Sequence, residues 1–371
     1  MNIRFFLAWL GVLALSTCRQ AAPPLEARWD ALLDSLYAAH PAAVGIMVHV
    51  ESPARGISWS AARGHAAKGA PAPLTPDQPA LIASNTKTYV SATILRLVEM
   101  GKLSLELPIG PLLGDYTRYQ FQQGGYDLQA IQVQHLLSHT SGIRDYANQA
   151  YIDRLSADKR HRWTRDEQLA LSLETGPPLG GPGHTFSYAD ANYLLLSEII
   201  EGQTGQPFYT AMRELLGYEA LGLRDTWMPT LEDKPAATPP LVHQYWTSHD
   251  WDSHDLDVSF DLYGGGGIAC PPRDLATFAY RLFTYEIVRD TAVLDLIFTE
   301  IPTEDPESSR YFLGLSAYEY AGQVGYGHGG FWGTEAVYFP ELRTAIATYI
   351  LEKDARELRV AVAEGVVRSM E

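Results

Sequence analysis

The sequence predicts an α+β fold in which both ends of the chain build one sheet and a helical segment is inserted between them. Near the N-terminus, apolar residues alternate at 44–50 and again at 57–60, separated by Ser52-Pro53-Ala54-Arg55-Gly56, which reads as a hairpin. From Tyr311 onward short β-rich runs return, at 312–318, 325–332, 336–339 and 344–351. Between about Leu103 and Leu241 the apolar spacing is mostly helical, broken by Gly- and Pro-rich stretches such as Gly176-Pro177-Pro178-Leu179-Gly180-Gly181-Pro182-Gly183. Strands at both ends with helices in the middle are the pattern of a single sheet carrying an insertion. The expected boundaries are 25–102 and 311–371 for the sheet lobe and about 103–241 for the helical lobe.

In chain order, residues 1–17 read as an export leader. Arg4 supplies the positive start and Phe5 to Leu15 an apolar run too short to span a bilayer. Leu15-Ser16-Thr17-Cys18 is similar to a lipobox, so Cys18 is the expected lipidated residue, with plain secretion as the alternative. Residues 18–24 then form a short tether. Leu25, Trp29, Leu32, Leu33 and Leu36 fall on one face of a first helix. A Pro-rich loop at 68–79 follows the hairpin and delivers the chain to Ala83-Ser84-Asn85-Thr86-Lys87. Val90, Ile94, Leu97 and Val98 then repeat at helical spacing until Gly101. At the other end, Asp354 and Glu357 are spaced as a capping box before a helix with Leu358, Ala361, Val362 and Val366 on its apolar face.

Of 371 residues, 46% are hydrophobic and 19% charged, which is ample apolar material for a large core. The formal charge of −16 argues against nucleic acid, or an anionic membrane face, as a partner held by a basic patch. Membrane contact is expected through the lipid alone. With Cys18 lipidated, Cys270 is left unpaired and no disulfide is expected.

The chemistry points to Ser84 and Lys87. A serine three residues before a lysine places hydroxyl and amine about one turn apart on one helix face. A lysine is a useful base only if its pKa, ordinarily about 10.4, is lowered; burial and the positive end of a helix are the expected causes. Ser156-Ala157-Asp158-Lys159 has the same spacing but sits in a charged segment without apolar periodicity, where a solvated lysine stays protonated. Tyr188 follows a tight Gly181-Pro182-Gly183 turn and precedes another apolar helix, placing a phenol where it can pass protons between Lys87, Ser84 and a leaving group. His328 lies in a Gly-flanked strand, Tyr326-Gly327-His328-Gly329-Gly330-Phe331, where bare backbone lets a substrate lie alongside.

Ser84-Asn85-Thr86-Lys87, Leu136-Leu137-Ser138-His139-Thr140-Ser141-Gly142, Phe186-Ser187-Tyr188, Gly264 to Gly267 with Ile268 ahead of Asp274-Leu275, and His328-Gly329-Gly330 occur in that order. Together they resemble the blocks of the serine β-lactamase-related superfamily, in the branch of class C β-lactamases, D-Ala-D-Ala carboxypeptidases, D-aminopeptidases and related esterases. The resemblance runs from about Leu25 to the C-terminus. It implies a β-lactamase/DD-peptidase-like fold: an antiparallel sheet flanked by helices, plus an all-helical lobe, with the site between. It implies Ser84 as the acylated nucleophile, Lys87 as its base partner and Tyr188 as proton relay. The backbone amides of Ser84 and Phe331 become the oxyanion hole, and His328, Gly329 and Gly330 the substrate-binding strand. No metal and no cofactor are implied. The expected reaction is hydrolysis of an amide or ester through an acyl-enzyme, on a D-amino-acid peptide such as peptidoglycan or on a small ester. A non-catalytic wall- or ligand-binding protein on the same fold is the alternative.

Two positions depart from the family pattern. Asp190 stands where the family has the Asn of Tyr-x-Asn, so a group able to donate is replaced by a carboxylate that only accepts and that favours a charged Lys87. A literal Tyr146-Ala147-Asn148 exists but follows no Gly-Pro-Gly turn. His328 replaces a lysine and is a weaker anchor for a carboxylate, which lowers the expectation of efficient β-lactam hydrolysis. Among other candidates, His135 and His139 are spaced as zinc ligands but lack an evident third. The loop carrying His243, His249 and His254 is expected to be solvated, with a place at the cleft rim as the alternative. Cys270 reads as a buried filler, and no Gly-x-Ser-x-Gly elbow is present.

Overall fold

The computed structural model describes residues 23–304 and 311–370. The expected leader, Cys18 and most of the tether lie outside the described residues.

Strands β1 (Gly45–Ser52) and β2 (Ile57–Gly64) form the expected hairpin. Two small two-stranded pairings follow: β3 (Ala80–Leu81) with β6 (Ala269–Cys270), and β4 (Tyr245–Trp246) with β5 (Trp251–Asp252). The C-terminal part supplies β7 (Ser316–Tyr320), β8 (Gln323–Gly329), β9 (Thr334–Phe339) and β10 (Thr344–Ile350). The main sheet has the order β2-β1-β10-β9-β8-β7 and is antiparallel throughout. Ile46 pairs with Ile350 at the join between the two chain ends.

β1 is buried along its whole length, so its alternation selects between two covered faces rather than between core and water. Ile46, Val48 and Val50 pack with Trp29 and Leu33 of α1 (Leu25–Ala39) and with Val362 and Val366 of the last helix, Leu358–Met370. Burying each such side chain is worth about 1.5–3 kcal/mol. Met47 points to the opposite face and joins the larger core. The helix at Pro272–Phe283 covers that face, with Leu275, Phe278 and Leu282 buried. The sequence reading had no helix there: it ended the helical region near Leu241.

The nucleophile-bearing helix α2 (Thr86–Glu99) is followed by α3 (Asp115–Gln123), α4 (Val133–Leu137), α5 (Gln149–Ala157), α6 (Arg165–Glu174), α7 (Asp190–Thr204), α8 (Phe208–Leu216) and α9 (Tyr218–Leu221). α7 packs against α2, α4 and α8, and most of its residues are buried. The last helix begins at Leu358 without the expected capping box. Asp354 instead accepts from the Ser248 amide at 2.8 Å, and the preceding 3-10 turn is capped by Glu352, which accepts from the Asp354 amide. Tertiary partners outcompete local spacing here.

Candidate active site

Ser84 lies in a 3-10 turn, Ala83–Asn85, that runs directly into α2. Ala83 just before it has φ +47°, a left-handed conformation costing a non-glycine residue about 1–2 kcal/mol. Asn85 holds the turn, donating to the Ile82 carbonyl at 2.8 Å and to Thr334 Oγ1 at 3.0 Å. The Gly329-Gly330-Phe331 segment leaves β8 against this turn. A Cβ on Gly330 would fall 2.4 Å from the Ile82 carbonyl oxygen, so only glycine allows this approach. The Phe331 ring packs against Trp246, Trp251 and Phe260, while its amide has no backbone acceptor among the described residues.

Lys87 is fully buried. Its Nζ donates to Ser84 Oγ at 3.0 Å, Asp190 Oδ1 at 2.6 Å and the Gly265 carbonyl at 2.5 Å. Three donors meeting three acceptors is the geometry of an ammonium. Burial alone would lower the Lys87 pKa, but the Asp190 carboxylate, helped by Tyr188 and Asp261, outweighs it and the pKa rises. The expected lowering is therefore corrected: the replacement of Asn by Asp reverses its sign. The Tyr188 hydroxyl hydrogen-bonds both Lys87 and Ser84, and its ring centre is 4.9 Å from Nζ. Burial raises the Tyr188 pKa, with Lys87 opposing, so it is a neutral phenol at neutral pH.

Two further carboxylates face the same ammonium. Asp145 Oδ1 accepts from the Asp190 amide at 3.1 Å and the Ala147 amide at 3.2 Å. Asp261 is packed against Gly266, next to the carbonyl that holds Lys87. Burial first, then repulsion from Asp190, pushes Asp145 up to about 7 and Asp261 up to about 8. A carboxyl whose folded pKa is raised binds more protons folded than unfolded. Its contribution is full below about pH 4 and is lost as pH rises towards 8. Replacing both, Asp145→Asn with Asp261→Asn, should therefore flatten the decline in stability between those limits. Thermal melts of the two proteins against pH would show it; parallel curves would exclude the effect.

His328 is held away from this ammonium. Its Nδ1 donates to the Gly329 carbonyl at 2.6 Å, which leaves Nε2 to accept from the Tyr311 hydroxyl at 3.1 Å. Tyr311 oxygen in turn receives His139 Nε2 at 3.1 Å, and His139 Nδ1 accepts from the Ala189 amide and Asn192 Nδ2, both at 3.2 Å. The amide at His139 Nδ1 requires that imidazole to be neutral, and the carbonyl at His328 Nδ1 fixes which nitrogen of that ring holds the proton when it is neutral. Burial and then Lys87 pull His328 down to about 3 and His139 well below its usual range, in agreement. A carboxylate anchor at 328 is therefore absent as a charge. The two histidines once spaced for zinc have separate tasks: His139 supports the Tyr188 segment, and His135 accepts from the Gln132 amide.

These groups surround one cavity of about 650 Å³, lined by Ser84, Tyr188, Asp190, Trp251, Phe331 and Arg359 among others. All eight residues singled out between Ser84 and Phe331 lie in or against it. The competing motif is built otherwise: Ala147 touches the cavity wall, but Tyr146 is buried and Asn148 caps α5. Ser156 accepts from the Trp251 indole while Lys159 donates to the Asp250 carbonyl. The loop carrying His243, His249 and His254 is not simply solvated: its Trp251 is buried and reaches the cavity, as do Phe260 and Asp261 just beyond it, whereas His243 stacks on His254 at 3.7 Å and pairs with Asp252. Sequence reasoning missed Asp145, Asp261 and Tyr311. Asp145 precedes the rejected Tyr146 motif and Asp261 precedes the Gly264 block, which is the only local signal either carries.

A family profile described as Beta-lactamase matches residues 33–361. Esterase EstB of Burkholderia gladioli is 32% identical over 229 residues, covering 59% of this chain and 55% of the esterase. Penicillin-binding protein 4 of Amycolatopsis lactamdurans is 26% identical over 207 residues, 54% of this chain and 49% of that protein. The chain thus spans about half the length of these curated relatives. D-amino acid amidase from Ochrobactrum anthropi SV3, solved with L-phenylalanine amide, superposes with a TM-score of 0.77 at 24% identity, over 94% of this chain and 99% of the amidase. At that identity the likeness shows fold alone. With the profile spanning nearly the whole described chain and the fold shared, the chain belongs to the beta-lactamase family.

Proposed function

We propose that the protein is a serine hydrolase that cleaves an amide or ester through an acyl-enzyme at Ser84. The observation that carries this is the Ser84 hydroxyl, 3.0 Å from a buried Lys87 Nζ and hydrogen-bonded by the Tyr188 phenol, at the wall of an open cavity. Ser84 Oγ attacks the carbonyl carbon, and the developing oxyanion is received by the amides of Ser84 and Phe331. Each such donor is worth about 3–4 kcal/mol of barrier. Tyr188 reaches both Ser84 and Lys87 and can hand a proton to the leaving group, after which water repeats the sequence on the acyl-enzyme.

Small esters and D-amino-acid amides or peptides, including peptidoglycan stems, are the substrate classes favoured, in line with the relatives named as an esterase and an amidase. The neutral His328 offers no charge to the carboxylate of a β-lactam, which supports placing β-lactams last. An exported lipoprotein, anchored through Cys18, is the proposed setting. Intact-mass measurement after exposure to p-nitrophenyl esters, D-peptides and a β-lactam tests the reading: an acyl adduct on Ser84 is expected, and no adduct with saturable binding would favour the binding-protein alternative. That alternative draws on one observation, the ammonium of Lys87, which has no vacancy for a proton.

A further inference from the structure

If Ser84 is the nucleophile, its proton needs an acceptor, and neither obvious partner can be one. Lys87 already carries three protons, each engaged, and Tyr188 keeps its own. The acceptor adjoining Lys87 that can still take a proton is the Asp190 carboxylate, 2.6 Å from Nζ and on the far side of it from Ser84 in the hydrogen-bond path. The Gly265 carbonyl, at 2.5 Å, cannot be protonated at any useful pH. Asp190 sits at the first turn of α7, where the backbone fixes it, and its amide is tied to Asp145.

We infer that Asp190, acting through Lys87, is the terminal acceptor of the Ser84 proton, so that aspartate at this position is a working part of the hydrolase and not a decayed asparagine. The inference rests on the acyl-enzyme reading. One Nζ proton first passes to Asp190 Oδ1, rotation about the Cε–Nζ bond turns the freed lone pair toward Ser84, and the hydroxyl proton passes to Nζ as the bond from Ser84 Oγ to the carbonyl carbon forms. The carbonyl π pair moves onto oxygen. Lys87 gives up one proton and gains another, so it ends as an ammonium; the carboxylate becomes a carboxylic acid, and the negative charge relocates to the oxyanion. On collapse the bond to the leaving group breaks, and the proton returns from Asp190 through Lys87 and Tyr188 to the departing atom.

Asp190 does not stand alone. The charged and titratable groups facing Asp190 are Lys87 from α2, Asp145 from the turn before α5, Asp261 from the turn before Gly264, and the phenols of Tyr188, Tyr146 and Tyr151. Three carboxylates share one ammonium, and the shared protons are held up to about pH 7 and 8. Such a set titrates as a unit. The protons on Asp145 and Asp261 are lost in the range near neutrality where a general base is most effective.

Acylation of Ser84 by p-nitrophenyl acetate, followed by the nitrophenolate burst and by intact mass from about pH 5 to about pH 9, decides the matter. The wild-type rate should rise with pH through roughly 7 to 8, as the cluster sheds its shared protons. Asp190→Asn should slow acylation by about 10²- to 10⁴-fold, the usual span for a general base, and abolish that rise. Asp190→Glu should restore part of both, which a merely structural role would not require. Acylation of Asp190→Asn at or above the wild-type rate, or with the wild-type rise with pH intact, overturns the relay while leaving the nucleophile standing. Absence of any Ser84 adduct in the wild type removes both.

Discussion

Alanine at position 84 is expected to abolish covalent labelling by fluorophosphonate and ester probes and to reduce turnover by on the order of 10⁴-fold or more, as loss of a nucleophile does where the remaining groups act as a unit with it. Folding should survive the change. Ser84 is only half-buried, and removing its oxygen takes one of three acceptors from Lys87, a net loss of about 1 kcal/mol. The control is Ser156→Ala, which has the same spacing to a lysine but whose oxygen serves the Trp251 indole. Labelling of that variant should match wild type. Retained labelling in Ser84→Ala, read by intact mass and located by peptide mapping, would remove the nucleophile assignment.

The parts of the site legible in the sequence are those written as contiguous blocks. Ser84 and Lys87 share one helical turn, Tyr188 follows a Gly-Pro-Gly turn, and Gly330 marks a backbone that must come close to another. The strands at the two chain ends were visible because period-two patterning is local. What pairs them, Ile46 against Ile350, is a contact across the length of the chain that no local pattern encodes. The same limit hid the electrostatics. The sequence offered Asp190 as a neighbour of Lys87, but Asp145 and Asp261 come from separate loops and meet it only in the fold. From the sequence the size of burial against Asp190 was not readable; in the fold Asp190, helped by Tyr188 and Asp261, outweighs burial and the Lys87 pKa rises. Tyr311 was unreadable for a like reason: its meaning lies in bridging His139 and His328, which are far apart in the chain. The capping box at Asp354 failed because Ser248, distant in sequence, claimed the carboxylate.

Methionine in place of Lys87 should be the most damaging single substitution, and its pH dependence separates charge from packing. The thioether fills much of the same volume, so the cavity term is small. Lost are the ammonium bonded to Asp190 and the donor to the Gly265 carbonyl, at a position that is itself fully buried. Leaving a buried charge without its partner costs about 3–5 kcal/mol, a large share of the 5–15 kcal/mol that a folded protein has. In the wild type, the raised Lys87 pKa contributes stability that is complete below its unfolded value of 10.5 and fades only above it, so its titration adds no slope near neutrality. In the variant, Asp190 loses its counter-charge and must be protonated to remain buried. Its folded pKa then lies above the unfolded one, and stability falls as pH rises through the interval between them. Urea midpoints of the two proteins should thus lie close together near pH 4 and diverge steadily towards pH 8. The variant should form no acyl-enzyme at any pH in that range, since neither the relay nor the donor that orients Ser84 remains. Midpoints separated by the same amount at every pH would mean that packing, not the ammonium, is what position 87 supplies to the fold.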